Sequence, residues 1–224
     1  MRPYVLLSAA MSADGYIDDA SPDRLVLSGP EDLDRVDELR AGADAIMVGA
    51  GTIRADDPRL LVRDPGRRQR RRDRGLAASP VKVTVTASGG IDPAARFFAA
   101  DGTDKLVYAA GSGAAVLARA LDGVATVVSL PSEPGLAGLL ADLSTRGIGR
   151  LMVEGGADIL GQLLAGGLAD ELQLAVAPVF VADRAAPRLL AGGRPPGGRM
   201  SLAGLHRAGD MAVLRYLAGG RAAS

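Results

Sequence analysis

The chain has 224 residues, and its 26 lysines and arginines balance its 26 aspartates and glutamates, giving zero formal net charge at pH 7. This balance argues against a protein committed as a whole to nucleic acid or to an anionic membrane. The absence of cysteine excludes disulfides and thiol catalysis, and a single histidine, His206, excludes a histidine-based zinc site. We therefore expect no metal, and chemistry that uses carboxylates, arginines, hydroxyls, backbone dipoles or an imported cofactor.

Short apolar strands alternate with helical segments along the chain, which predicts an α/β fold with a mostly parallel central sheet and helices on both faces. No break in composition marks a boundary, so a single domain over residues 1–224 is expected. In chain order, the predicted elements are strands Tyr4–Ala10, Asp44–Val48, Val81–Thr86, Lys105–Ala109 and Val124–Val128, a helix Leu136–Thr145, strands Arg150–Val153 and Glu171–Ala177, and an antiparallel hairpin near Leu202–His206 and Met211–Leu217.

A first long helix is predicted after the first strand. Residues 28–31 (SGPE) have the spacing of a capping box, with a proline near the first helical position. Leu33, Val36 and Leu39 follow at helical spacing and predict an inward apolar stripe.

No apolar run approaches the ~20 residues of a membrane span, and the N-terminus lacks the apolar region of a signal peptide. A cytoplasmic protein without membrane contact is the resulting expectation.

The segment after the second strand is dense in groups that could carry chemistry. Gly49 and Gly51 predict a turn into a short helix, but Arg54 stands where a dinucleotide fingerprint needs its third glycine. The pair Asp56 and Asp57 is compatible with an acid–base or metal role, or with one side chain capping a turn while the other faces water.

The run from Arg63 to Pro80 is rich in arginine and contains no aromatic residue. It is predicted to be a solvated surface loop between a helix and a strand. The alternative, a patch that binds phosphate or nucleic acid, is weaker because no aromatic side chain is present to stack on a base.

The run VEGGADILGQLLAGGLADEL, residues 153–172, predicts a strand that ends in two glycines and opens a helix. Helix N-termini present free backbone N–H groups and bind phosphates, and ligands of α/β proteins lie at the carboxyl ends of strands. Glu154 would then lie beside a substrate, with a nucleotide phosphate at the helix. The other interpretation is a tight turn with Glu154 solvated.

Three segments together carry a family resemblance: SAAMSADGYI (8–17), LRAGADAIMVGAGTIRADDPRLLVR (39–63), and residues 153–172 followed by VAP. The chain resembles the riboflavin-biosynthesis reductases, which occur as the C-terminal domain of a bifunctional deaminase/reductase and as stand-alone pyrimidine reductases. The resemblance implies a dihydrofolate-reductase-like fold, NADPH as cofactor, and a homodimer. It also implies reduction of the ribosyl group of a 5-phosphoribosylamino-pyrimidine to ribityl, by hydride transfer to C1′.

The resemblance also implies site residues. Substrate contacts are expected from Arg40, Leu60, Arg63 and Glu154, with Arg63 near the 5′-phosphate; blind to the resemblance, either arginine could equally be an ordinary surface residue. Glu154 is the first candidate for catalysis, and Asp57 is the second. Cofactor contacts are expected from Ala10, Thr52, Asp56, Ser88, Gly155, Gly156, Ala157, Asp158, Ile159 and Leu160.

Three alternatives remain open from the sequence. One is a reductase of the same fold acting on a folate, a pterin or a substrate of specialised metabolism. A second is a non-catalytic NADP-binding protein, and a third is a protein that uses the arginine run to bind nucleic acid. The main expectation for partners is a small phosphorylated pyrimidine, with no nucleic acid.

Overall fold

A computed structural model describes residues 1–19, 21, 25–87, 89–111, 113–130, 135–190 and 199–219. The chain divides into two compact units, unit 1 (Met1–Pro3 and Asp37–Met152) and unit 2 (Tyr4–Val36 and Val153–Ser224). Among the described residues, no helix combines the length and the apolar character needed to cross a membrane. The single domain expected from the sequence stays a prediction.

The observed elements match the predicted order, with shifted ends and two added helices. The strands are β1 (Tyr4–Ser12), β2 (Ala45–Gly49), β3 (Val81–Thr86), β4 (Lys105–Ala110), β5 (Thr126–Leu130), β6 (Arg150–Gly155), β7 (Glu171–Ala177), β8 (Met200–Ala208) and β9 (Met211–Ala218). The helices are α1 (Pro30–Ala41), α2 (Ala50–Asp56), α3 (Pro65–Asp73), α4 (Gly113–Ala120), α5 (Gly135–Thr145) and α6 (Ala157–Ala165).

Unit 1 contains a run of parallel strands, in which β2 pairs with β3, β3 with β4, and β4 with β5. Every residue of β2 is buried, as expected for a parallel strand covered on both faces. Apolar side chains from these strands pack with α2 and α4 into one core cluster, which includes Ile46, Ile53, Leu60, Phe97 and Val107.

Unit 2 combines parallel and antiparallel pairing. Strand β1 is parallel to β7, whereas β9 pairs antiparallel with both β7 and β8. A small apolar cluster that includes Ala175, Met211 and Val213 is buried in this unit. The predicted mostly parallel sheet with a C-terminal antiparallel hairpin is therefore confirmed.

A buried polar network also stabilises unit 2. The Glu171 carboxylate is almost fully buried and accepts hydrogen bonds from Arg215 Nε (2.7 Å), from Tyr4 Oη (2.7 Å) and from Gln173 Nε2 (2.8 Å). Burial alone would raise the pKa of Glu171, but these donors outweigh it and hold the pKa below its usual value. The network satisfies charges that would otherwise be costly to bury.

Helix α1 turns a different face inward from the one predicted. Leu33 is exposed, whereas the carboxylates of Asp32 and Asp37 are buried. The helix begins at Pro30 and the Gly29 carbonyl accepts the Leu33 backbone N–H (3.0 Å), so Gly29 rather than Ser28 stands at the N-cap position. The Ser28 hydroxyl donates to the Asp32 carboxylate (2.6 Å). The apolar stripe was a misleading signal because hydrogen-bonded carboxylates occupy the buried face.

The predicted surface loop over residues 63–80 is wrong, because this segment contains helix α3. The helix begins with the Asp64 carboxylate accepting the Arg67 backbone N–H (2.7 Å), followed by a proline at the first turn. Arg71 is buried, and its guanidinium donates to the carbonyls of Ala41, Ala43 and Ala77. Burial lowers the pKa of Arg71. The high arginine content of the segment did not indicate that one of these arginines would be buried with its guanidinium hydrogen-bonded to carbonyl oxygens.

Candidate functional site

The chain that follows α2 contains two residues with positive φ, and we call residues 57–64 the strained segment. Asp57 (φ 42°) and Leu60 (φ 50°) both adopt positive φ, which is uncommon for residues other than glycine. Such conformations each cost of order 1–3 kcal/mol and persist where the surroundings fix them. The Asp57 carboxylate accepts the Arg96 backbone N–H (2.6 Å), and the Leu60 side chain is buried in the core cluster of unit 1. The strained segment is thus anchored at its first half.

Side chains from outside the strained segment hold its second half. Arg40, near the end of α1, donates from Nη1 to the Leu61 carbonyl (3.0 Å). The Ser79 hydroxyl accepts the Val62 backbone N–H (3.0 Å). Because a buried backbone group needs a partner, these contacts favour one conformation of the chain.

The Asp37 carboxylate makes a second set of contacts with the strained segment. Its two oxygens accept the backbone N–H groups of Arg63 (2.5 Å) and Asp64 (3.1 Å). Arg67 Nη1 lies 3.1 Å from the same carboxylate, so Asp37 is held from the side of α3 as well. Arg63 itself is exposed. The structure thus fixes the backbone of Arg63 and leaves its side chain at the surface.

The predicted site residues of unit 1 therefore lie around one stretch of chain. Arg40, Leu60 and Arg63 all belong to the strained segment or contact it directly. Thr52 and Asp56 lie on α2, which leads into that segment, and both are partly buried. Ser88 lies outside the described residues.

In unit 2, the predicted residues form a glycine junction, residues 154–157, between β6 and α6. Gly155 has φ 155°, a conformation that residues with a side chain rarely adopt. Gly156 is the extended N-cap residue of α6, and no side chain makes a cap hydrogen bond there. Glu154 is partly buried at the end of β6.

The first turn of α6 contains the other predicted cofactor residues of this unit. The backbone N–H groups of Ile159 and Leu160 donate to the Gly156 carbonyl (3.1 Å each), so the helix is regular from its first turn. Leu160 is buried, and the Asp158 side chain is exposed. Contacts between this turn and a ligand would therefore come chiefly from the backbone.

The predicted residue Ala10 lies on β1 of unit 2 and packs against the small apolar cluster of that unit. After β1, the chain turns at Gly15, which has φ 92°. The Asp14 carboxylate accepts the Ser12 hydroxyl (2.6 Å) and the Ala182 backbone N–H (2.9 Å). These donors, the hydroxyl foremost, hold the pKa of Asp14 below its usual value. Asp14 therefore ties the turn after β1 to the loop after β7.

The glycine junction fits a phosphate of a dinucleotide. A helix N-terminus without a side-chain cap leaves backbone N–H groups available to an anion, and two glycines leave the approach open. Among the described residues, no group of three or more histidine, cysteine, aspartate or glutamate side chains is placed to hold a metal ion.

Sequence reasoning missed Asp37, whose buried carboxylate holds the strained segment, and Arg71, whose buried guanidinium bonds the carbonyls of Ala41, Ala43 and Ala77. Asp37 lies three positions before Arg40 on α1, so both project from one face of that helix. That spacing was the available signal for Asp37. No comparable signal distinguished Arg71 from the arginines next to it.

The same fold is found in a solved structure. A pyrimidine reductase-like protein from Corynebacterium diphtheriae superposes with a TM-score of 0.82, over 96% of this chain and 91% of the other, at 24% sequence identity. The protein therefore has the fold of that reductase-like protein.

Sequence comparison assigns the family. Residues 3–214 match the family described as the RibD C-terminal domain, and the chain belongs to that family. Two relatives carry the name 2,5-diamino-6-ribosylamino-4(3H)-pyrimidinone 5′-phosphate reductase. The Archaeoglobus fulgidus protein is 38% identical over 193 residues, which cover 86% of this chain and 88% of the relative. The Methanothermobacter thermautotrophicus protein is 38% identical over 192 residues, covering 86% and 85%. The predicted resemblance is confirmed.

Proposed function

We propose that the protein is an oxidoreductase of riboflavin biosynthesis. Its substrate is a 5-phosphoribosylamino-pyrimidine, whose ribose ring opens at the C1′–O4′ bond to leave an imine at C1′. A hydride then adds to C1′ and a proton to the imine nitrogen, which converts the ribosyl group to ribityl. The observation that carries this proposal is the 38% identity, over most of both chains, to two proteins named as reductases of the 2,5-diamino-pyrimidinone phosphate. Because both names specify the diamino form, the undeaminated pyrimidine is the proposed substrate.

NADPH is the proposed cofactor, and it would supply the hydride. The glycine junction would bind one of its phosphates through the N-terminus of α6. The other proposed cofactor contacts are Ala10, Thr52, Asp56, Ser88, Asp158, Ile159 and Leu160. A preference for NADPH over NADH is part of this proposal and rests on the family resemblance.

Arg63 and Arg40 are proposed to bind the phosphoribosyl end of the substrate. A guanidinium donates two parallel hydrogen bonds to a phosphate, and such charge-assisted bonds are among the strongest in proteins. The strained segment supports this role because it fixes the backbone of Arg63 while the side chain stays exposed. Leu60 is proposed to shape the same segment and to contact substrate.

Glu154 is the proposed catalytic residue. At the carboxyl end of β6 it would hydrogen-bond the substrate, orient C1′ and assist proton movement. Asp57 is the second candidate for handling a proton.

The decisive experiment for this function is steady-state oxidation of NADPH with purified protein. Turnover is expected with the 5′-phosphorylated diamino-pyrimidine, at a higher kcat/KM than with the deaminated form. NADH in place of NADPH should give a lower kcat/KM. Turnover with a folate or pterin but with neither pyrimidine would contradict the proposal, as would cofactor binding without any oxidation.

We also propose a cytoplasmic homodimer. Among the described residues, β8 pairs with β9 and is the last strand of its sheet. Its side chains Leu202 and Leu205 are 58% and 66% exposed. Exposed apolar side chains on a strand with a free edge favour association with another chain. Light scattering should give twice the mass of the chain, and Leu205→Glu should reduce it; a monomeric mass for the unsubstituted protein would contradict the proposal.

A further inference from the structure

Two side chains on one face of α1 contact the strained segment with opposite charge. Arg40 donates to the Leu61 carbonyl (3.0 Å), and Asp37 accepts the backbone N–H groups of Arg63 (2.5 Å) and Asp64 (3.1 Å). The guanidinium of Arg40 on one carbonyl and the carboxylate of Asp37 on two N–H groups together fix the backbone over residues 61–64. The amide pair is thereby occupied by a carboxylate, so the side chain of Arg63 is the cationic group that residues 61–64 offer to an anion.

The position of Asp37 is itself fixed. Its side chain is 4% exposed, and Arg67 Nη1 of α3 lies 3.1 Å from it. A buried carboxylate with three charge-assisted or backbone donors has little freedom to move. The neighbouring carboxylate, Glu38, also pairs with Arg67 (2.6 Å) and with Arg70, but it is 57% exposed and both of these ion pairs are with α3.

We propose that Asp37 is a positioning residue for substrate recognition: it fixes the backbone of Arg63 so that the guanidinium meets the substrate's 5′-phosphate. This inference rests on the proposed function, which assigns Arg63 to that phosphate. Asp37 contacts no substrate atom in this account and acts through Arg63. Correct placement of a binding group matters because a displacement of about 1 Å can cost on the order of 100-fold in rate.

The test compares kcat/KM for the 5′-phosphorylated substrate with kcat/KM for its dephosphorylated analogue. The ratio of the first value to the second measures how much recognition of the phosphate contributes to kcat/KM. Asp37→Asn keeps the size of the side chain but replaces one acceptor oxygen with a donor that faces backbone N–H groups and Arg67. We expect the ratio to fall roughly tenfold in Asp37→Asn and roughly 100-fold in Arg63→Ala.

The double variant separates positioning from general damage. Once Arg63→Ala has removed the guanidinium, adding Asp37→Asn should lower the ratio no further. Glu38→Gln is the matched control, since it removes ion pairs to α3 without touching the strained segment, and it should leave the ratio unchanged. Thermal unfolding of each variant identifies loss of fold. If Asp37→Asn does not fold, Arg67→Gln is measured instead and should lower the ratio in the same direction by a smaller factor.

The possible outcomes distinguish this inference from the proposed function. If Arg63→Ala lowers the ratio but the Asp37 or Arg67 variant lowers both kcat/KM values equally, the positioning role is overturned and the phosphate assignment stands. The positioning role is also overturned if Asp37→Asn lowers the ratio by the same factor with and without Arg63. If Arg63→Ala leaves the ratio unchanged, the phosphate assignment itself fails, and the positioning role fails with it.

Discussion

The strained segment and the glycine junction present their proposed anion-binding groups in opposite ways. In the strained segment, two residues with side chains adopt positive φ, and side chains such as Asp37 and Arg40 occupy the backbone groups. In the glycine junction, Gly155 adopts the unusual backbone conformation, and no side chain caps the helix that follows. The first arrangement leaves exposed arginine side chains, Arg63 among them, as the proposed binding groups, whereas the second leaves the backbone. Substitutions should therefore damage the two regions differently.

The largest expected effect is at the buried guanidinium of Arg71, which ties α3 to the carbonyls at the end of α1. Arg71 is 4% exposed, and its guanidinium donates to three carbonyl oxygens at 2.7–2.9 Å. Arg71→Ala removes the donor from all three carbonyls. Each unsatisfied buried group costs about 1–3 kcal/mol, so the free energy of unfolding should fall by about 3 kcal/mol or more. Urea unfolding measures it, with the exposed Arg72→Ala as control, expected within about 0.5 kcal/mol of the unsubstituted protein. Equal stability of the two variants would mean that α3 is only a solvated appendage.

Backbone strain should dominate at the glycine junction. Gly155→Ala places a side chain at φ 155°, which should cost of order 1–3 kcal/mol of unfolding free energy and weaken NADPH binding. Gly161→Ala on α6 is the control, because its added Cβ meets only Leu190 at an ordinary 3.8 Å, and alanine favours a helix by up to about 1 kcal/mol. Calorimetry and a fluorescence titration measure both quantities. If Gly155→Ala were as stable as Gly161→Ala, backbone strain at residue 155 would not destabilise the protein.

A side-chain effect on catalysis is expected from the same junction. Glu154→Gln keeps the shape of the side chain but removes its charge, so kcat should fall roughly tenfold while the Kd for NADPH stays unchanged. Stopped-flow kinetics and cofactor titration separate the two quantities. A weakened Kd with unchanged kcat would assign Glu154 to cofactor binding.

The smallest effect is expected at Asp57. Asparagine keeps an oxygen that can accept the Arg96 backbone N–H and is enriched among residues with left-handed backbone conformation, so Asp57→Asn should change kcat by less than about twofold. Steady-state kinetics beside Glu154→Gln gives the comparison. A loss of turnover as large as that of Glu154→Gln would make Asp57 the proton-handling residue.

The sequence predicted those parts of the molecule whose local pattern matches their environment. Buried β-branched runs such as Val81–Thr86, and the strand–glycine–helix pattern at Gly155, have one favourable structure each. The prediction was wrong where tertiary contacts reverse the ordinary preference of a side chain. Carboxylates occupy the buried face of α1, and Arg71 is buried because carbonyls distant in sequence accept its hydrogen bonds.

The candidate site residues differ in how far the sequence alone points to them. Motif residues such as Arg63 and Glu154 could be named from the family resemblance, because they belong to continuous stretches of sequence. For Asp37 the sequence offered only its spacing from Arg40, which does not reveal that the fold brings two backbone N–H groups within 2.5–3.1 Å of its carboxylate.

The most direct test of the proposed reaction follows the hydrogen itself. The protein would be incubated with the 5′-phosphorylated diamino-pyrimidine and with NADPH carrying deuterium at both hydrogen positions of the nicotinamide C4, and the product would be examined by mass spectrometry and NMR. Hydride transfer predicts a ribityl product with one deuterium, from one of the two C4 positions, at C1′. Oxidation of the cofactor without deuterium at C1′, or no ribityl product at all, would contradict the account.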